Sequence, residues 1–288
     1  MAGRKKKANN LPFADKLVLN QWILSLLGVD PLVEHKENNR PVRAFHVLSK
    51  TLRDCSEGRG EDNLHYFYQQ LKTHWQPKSA LSEAALLQYE QNIVEHTDWL
   101  NADRQRPIVW KYYQWLSLLF AEIYLHQYFS DRDGLLDRLN EYVERFNAHW
   151  ESKGFVTGIN PYVEEDLNKL CLQNATGSGK TLLMHVNYRQ FARHAEENGQ
   201  HDLVTRTLLI TPNEGLSRQH ELEMLESGIE VDRLVMDQND MFGSQHGHLT
   251  RIDYTEITKL GERDSEKTIA TRNLGDQNLI LVDEGHRG

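Results

Sequence analysis

The chain has 288 residues, of which 39% are apolar and 26% charged, enough apolar material for one or two ordinary cores and too much for a disordered polymer. Its two cysteines, Cys55 and Cys171, lie far apart without CxxC spacing, which excludes a disulfide framework and a structural zinc site and predicts a reducing, cytoplasmic setting. Lys plus Arg against Asp plus Glu count 19 and 19 in residues 1–150 but 14 and 23 in residues 151–288, so the net charge of -9 sits in the second half and no basic field there draws in nucleic acid.

Residues 1–11 read as a basic, disordered tail carrying Arg4, Lys5, Lys6 and Lys7; a solvated end is the simpler reading and a weak phosphate-binding arm the alternative. The apolar stretch at 17–29 is broken by Asn20 and Gln21 and is too short to span a bilayer, so no membrane partner is expected. No small-residue cleavage site follows the basic head, which argues against a secretory signal.

From residue 12 to 152 the text reads as a helical domain, with leucines and aromatics recurring at three and four. The expected helices are 15–27, 41–55, 62–74, 82–100, 106–129 and 134–149, punctuated by Gly58, Gly60, Pro77, Pro107 and Gly134. The fifth carries Trp110, Tyr113, Leu116, Leu119, Phe120, Ile123, Tyr124 and Phe129. That is a core stripe rather than a base-stacking platform, because only Lys111 and Arg132 lie near it as cations.

Between 151 and 161 the character changes, and residues 153–288 alternate short apolar runs with helical stretches: 169–173, helix 181–198, 207–211, helix 214–227, 233–236, 254–260 and 279–282. Repeated strand-then-helix predicts an α/β fold with a parallel sheet covered on both faces. Residues 238–251 read as a loop; His246 and His248 there lack a third metal ligand.

Three segments carry chemistry. Asn174–Thr181 reads NATGSGKT between an expected strand and an expected helix. Gly177 and Gly179 permit a tight turn whose N–H groups point inward, and the helix starting near Lys180 aims its positive end at the same place, which makes a polyphosphate cradle. Lys180 would reach the outer phosphates and the Thr181 hydroxyl would hold magnesium. The alternative is a plain glycine-rich turn, and the strict pattern would want glycine at Asn174. Second, LILVDEGHRG closes the chain: a buried strand delivers Asp283 and Glu284 to the carboxyl edge of the sheet, Asp283 for magnesium and Glu284 for an attacking water. Alone, that run is as well explained by a solvated strand end; its pairing with the phosphate loop is what strengthens it. Third, TLLITPNEGLSRQH places Thr211, Pro212 and Asn213 at a strand-to-helix turn, where an outward hydroxyl and helix amides suit a nucleic-acid phosphate.

Together these segments resemble the superfamily-two helicases of the DEAD/DEAH-box kind, and ITPNEGLSRQH with LVDEGHRG most resembles the helicase (Res) subunits of type III restriction enzymes. The resemblance covers residues 161–288. It implies an incomplete RecA-like P-loop domain, an ATP site made by Thr176, Gly177, Ser178, Gly179, Lys180 and Thr181, magnesium held by Thr181 and Asp283, water activated by Glu284, and nucleotide state coupled to the motor through His286. Gly285 replaces the alanine of DEAH. It also implies a DNA translocase or helicase linked to restriction or phage defence, acting on double-stranded DNA with a second motor domain or a modification subunit as partner. The chain stops at Gly288, just after motif II, so it reads as the N-terminal fragment of such a motor. Without the arginines of a second domain, its turnover is expected to be negligible. A nucleotide-dependent binding or interaction module, and a P-loop NTPase of another class, are the alternatives.

Overall fold

The structure is a computed structural model that describes residues 9–175, 177–234, 249, 251–262 and 268–284. The chain forms two compact units, one from Met1–Val94 and Val109–Gln173, the other from Glu95–Ile108 and Asn174–Gly288.

Six helices appear in the order expected: α1 (Val18–Leu26), α2 (Ala44–Arg53), α3 (Tyr66–Trp75), α4 (Glu83–Asn101), α5 (Tyr112–Ser130) and α6 (Arg132–Ser152). Several begin later than the apolar periodicity suggests, for local reasons. Asn38 and Asn39 both adopt left-handed φ, 49° and 62°, and close a two-residue hairpin that pairs His35–Glu37 with Arg40–Val42, so α2 cannot start at Pro41. Asn63 is also left-handed and Asp62 accepts from the Leu64 N–H, which delays α3. The Asn101 side chain bonds both the N–H and the carbonyl of Ile108, holding the chain short of α5. Asp131 caps α6 by accepting from the Gly134 N–H.

The core of the first unit is α5, buried on every side from Trp115 to Leu125 apart from Ser117. The aromatic stripe is therefore core and not a stacking platform. Glu90 is fully buried there, and its carboxylate meets the His65 backbone N–H at 2.5 Å, His65 Nδ1 at 2.7 Å and the Trp115 indole N–H at 2.9 Å. Such an acid is tolerable only because several donors surround it.

The tail expectation is corrected at residues 9–11: Asn9–Asn10 pairs in parallel with Phe155–Val156 and Leu11 is buried, so apolar burial orders this stretch, while residues 1–8 lie outside the described residues. The segment 153–173 stays with the helices, because Asn147 donates to the Ile159 carbonyl, Asn140 to Tyr162 and the Tyr124 hydroxyl to Leu167. The strand expected at 169–173 does not form. Among the described residues it has no ladder partner, and Leu170 is exposed.

Among its described residues the second unit holds a four-stranded parallel sheet packed with the helices α7 (Lys180–Glu197) and α8 (Glu214–Glu226). Its strands are β1 (Arg206–Thr211), β2 (Glu230–Arg233), β3 (Arg251–Glu256) and β4 (Asn278–Val282), in the order β4-β1-β3-β2. Tyr188 of α7 and Met224 of α8 pack with Leu209, Val231, Ile252 and Tyr254, so both helices cover one face. On the opposite face Leu208 and Thr255 of the central strands are buried, while Ile280 and Val282 of the edge strand β4 are half-exposed. Strand β2 precedes the segment expected at 233–236, of which residues 235–236 are outside the described set, as are 238–248 with His246 and His248. The run 254–260 divides into the end of β3 and a 3-10 turn, Ile257–Lys259.

Substituting Glu90→Leu strands three buried donors, and the expected cost is about 3 kcal/mol or more, read as a lower urea midpoint for the helical signal; an unchanged midpoint would show that those donors find other acceptors.

Candidate functional site

The glycine-rich turn is built by two left-handed residues, Gly177 at φ 76° and Gly179 at φ 80°. A side chain at either position would be strained by the backbone alone. Gly179 caps α7 and its carbonyl accepts from the Leu183 N–H at 3.1 Å. The amides of the first turn of α7 have no carbonyl partner within the helix, and the dipoles of an 18-residue helix point their positive end at the turn. The buried side chain of Ser178 and the half-buried side chain of Thr181 belong to this corner; Thr176 lies outside the described residues.

Strand β4 pairs with β1 in a register that sets Val282 beside Ile210, and the Asp283 N–H continues the ladder to the Ile210 carbonyl. Asp283 and Thr211 therefore leave the sheet side by side at its carboxyl edge. Glu284 then takes a left-handed φ of 53°, a sparsely populated conformation for a residue with a side chain. Its N–H donates to Asp283 Oδ1 at 2.9 Å, and its carboxylate meets Lys180 Nζ at 2.8 Å. The lysine of the glycine turn and the twin acids, 104 positions apart between Lys180 and Glu284, thus share one partly buried corner.

His220 completes it, and the sequence reasoning assigned this residue no role. Its Nε2 lies 2.9 Å from Asp283 Oδ2, with its side chain almost wholly enclosed. This hydrogen bond is the main influence holding the Asp283 carboxyl below the usual carboxylate range; burial opposes it, while the charge of His220, the Glu284 N–H and the charge of Lys180 assist. The available signal was spacing: Ser217, His220 and Met224 recur at three and four and form the buried face of α8.

The strand-to-helix turn after β1 differs from its sequence reading. Thr211 is buried, and its hydroxyl lies 2.6 Å from Ser217 Oγ, which donates onward to Glu256, itself held by both oxygens to Arg233. The hydroxyl turns inward because three buried polar groups need one another. Asn213 remains exposed, but its Oδ1 caps α8 by accepting from the Leu216 N–H, and Pro212 is half-buried. Gly285 and His286 lie outside the described residues.

Among the described residues no cluster of three or more His, Cys, Asp or Glu could hold a metal by itself. Magnesium takes one or two protein oxygens and completes its octahedron with water and phosphate; the Asp283 carboxylate and the Thr181 hydroxyl are oxygen donors of the kind it accepts. No described helix is long and apolar enough to cross a membrane.

A family model described as "Type III restriction enzyme, res subunit" matches residues 135–288. No curated protein and no solved structure matches the chain.

Behind this corner, His185 of α7 is fully buried with Nδ1 2.9 Å from Ser227 Oγ. Burial, then the charges of His220 and Arg104, push its pKa from 6.5 down to about 3. Only the unfolded chain takes up a proton here between pH 6.5 and about 3, so stability falls as pH falls through that window. His185→Asn keeps an N–H for Ser227 without a titrating ring. It is expected to flatten the pH dependence of the unfolding free energy by close to one proton across the window, measured by urea unfolding at several pH values; an identical slope in the variant would refute the assignment.

Proposed function

The chain belongs to the family of type III restriction enzyme res subunits, superfamily-two proteins with an ATP-binding helicase-type domain, and from that premise we propose that its second unit binds ATP with magnesium and drives movement on double-stranded DNA in a restriction or phage-defence motor. The observation that carries the proposal is the meeting of Lys180 with Glu284 at 2.8 Å beside Asp283, at the mouth of a left-handed glycine turn that opens α7.

In this reading the backbone N–H groups of residues 177–181 and the α7 N-terminus cradle the phosphates. Lys180 exchanges its ion pair with Glu284 for the outer phosphates. That exchange releases the Glu284 carboxylate to orient a water and accept its proton. Asp283 and Thr181 would hold magnesium, whose positive charge would offset that of the phosphates. Ser178 lines the cradle, and by the resemblance of the motifs Thr176 is assigned to the ATP site and His286 to coupling nucleotide state to the motor. Thr211 shapes the DNA-facing edge from within, and the exposed Asn213 with Pro212 offers the surface for a backbone phosphate. The motor's other parts, a second motor domain or a modification subunit, are its partners, in a cytoplasmic setting.

Two substitutions test this with a fluorescent ATP analogue and magnesium. Lys180→Ala is expected to weaken binding by roughly ten- to a hundredfold, the worth of a hydrogen bond to a charged phosphate. Glu284→Gln is expected to bind at least as tightly as the unaltered chain, because Lys180 no longer has a competing carboxylate, while its residual phosphate release vanishes. Weaker binding in Glu284→Gln, or unchanged binding in Lys180→Ala, would sink the exchange. Retention of double-stranded DNA on a filter tests the substrate assignment, and its failure would remove DNA from the proposal.

A further inference from the structure

His220 sits where a metal-holding carboxylate meets the rest of the unit. Two features of α8 restrict its ring. Toward the start of α8, Asn213 caps the helix and the Ser217 hydroxyl ties its first turn to Thr211 at the end of β1. One turn further along the same face, Met224 is buried in the core of the sheet. His220 lies between these anchors, so the helix can neither rotate nor slide without breaking one of them.

In α7 a second buried histidine, His185, is held by its own partners. Ser227 donates its hydroxyl proton to the Glu223 carbonyl at 2.9 Å, so its oxygen is left to accept from Arg104 at 2.9 Å and from His185 Nδ1 at 2.9 Å. This makes His185 the Nδ1–H tautomer and leaves its Nε2 as an acceptor. His185 is near enough for the charge of His220 to act on it. On the other side, Asp283 Oδ2 takes the hydrogen bond of His220 Nε2 and Oδ1 takes that of the Glu284 N–H. Each carboxylate oxygen keeps a further lone pair.

We propose that His220 is a positioning residue for magnesium: its Nε2–H fixes the Asp283 carboxylate so that the remaining lone pairs meet a hydrated ion. The inference rests on the nucleotide reading above. Partners of this kind orient a metal ligand without touching the metal, and their loss typically costs ten- to a hundredfold in metal affinity.

The test uses the 288-residue chain and N-methylanthraniloyl-ATP, titrated with Mg2+ at fixed nucleotide and, separately, with nucleotide in EDTA. His220→Leu is expected to raise the Mg2+ midpoint about tenfold or more while nucleotide affinity in EDTA stays as in the unaltered chain. His220→Gln, which presents an amide N–H near the position of Nε2, is expected to recover most of that loss. An unchanged midpoint in His220→Leu, an equal loss with and without Mg2+, or a glutamine variant as poor as leucine overturns the inference while leaving the nucleotide reading intact. An unaltered chain that binds no nucleotide under either condition overturns that reading and this inference with it. Should His220→Leu not fold, 15N spectra of the histidine rings decide: the Nε2–H tautomer at His220, kept when Mg2+ and nucleotide are added, supports the role, and an Nδ1–H tautomer overturns it.

Discussion

The parallel pairing of Asn278–Val282 with Arg206–Thr211 is the constraint on which the site depends. A parallel ladder sends both strands out of the sheet at the same edge, so whatever follows each strand is delivered to one place. Here that is Asp283 and Glu284 from one strand and the Thr211 turn from its neighbour. The left-handed backbone at Glu284 accompanies a division of labour: one carboxylate goes to His220 and the other to Lys180. Lys180, at the N-terminus of a helix, and Glu284 satisfy each other. Neither charge is then left uncompensated in a partly buried corner.

The frame around that corner is drawn from distant parts of the chain. Arg189 of α7 stacks over Trp99 with 4.3 Å to the ring centroid, and Arg193 pairs with Glu95 and with Glu197. Arg104 reaches Ser227 and also donates to the Leu100 carbonyl. The segment Glu95–Ile108 therefore belongs to the second unit although the domain boundary reads at 152/153 in the sequence. It grips both helices that carry site residues, α7 with Lys180 and α8 with His220. Stacked and bidentate arginines are suited to such joints because the guanidinium is planar, permanently charged and weakly hydrated.

Much of this was legible in one dimension because the signals are local. Left-handed turns need glycine, so the spelling of the loop announces Gly177 and Gly179; helical period announces α1 to α8; a short apolar run ending in two acids announces β4. The hairpin closed by Asn38 and Asn39 was equally announced, since an Asn-Asn pair favours left-handed φ at both positions, yet the helical pattern beside it at residues 44–53 is the stronger signal. The strand at 169–173 misled for the opposite reason. Alternation in KLCLQ suits a strand, but a strand exists only if a neighbour offers its edge, and the chain before it is bound to α5 and α6 by Tyr124, Asn140 and Asn147.

By itself, then, the sequence determined the helices, most of the sheet strands, the class of fold and the identities of the lysine and acids that meet, because backbone preference and periodicity act over a few residues. Only the tertiary structure decided partners. Whether Thr211 faces out or in depends on Ser217 and Glu256; whether Asp283 is held depends on a histidine 63 positions away; and whether residues 95–108 serve the helices or the sheet depends on where Trp99 and Arg104 find contacts. Hydrogen bonds and burial reward proximity in space, and proximity between residues remote along a chain is set by how its strands and helices pack.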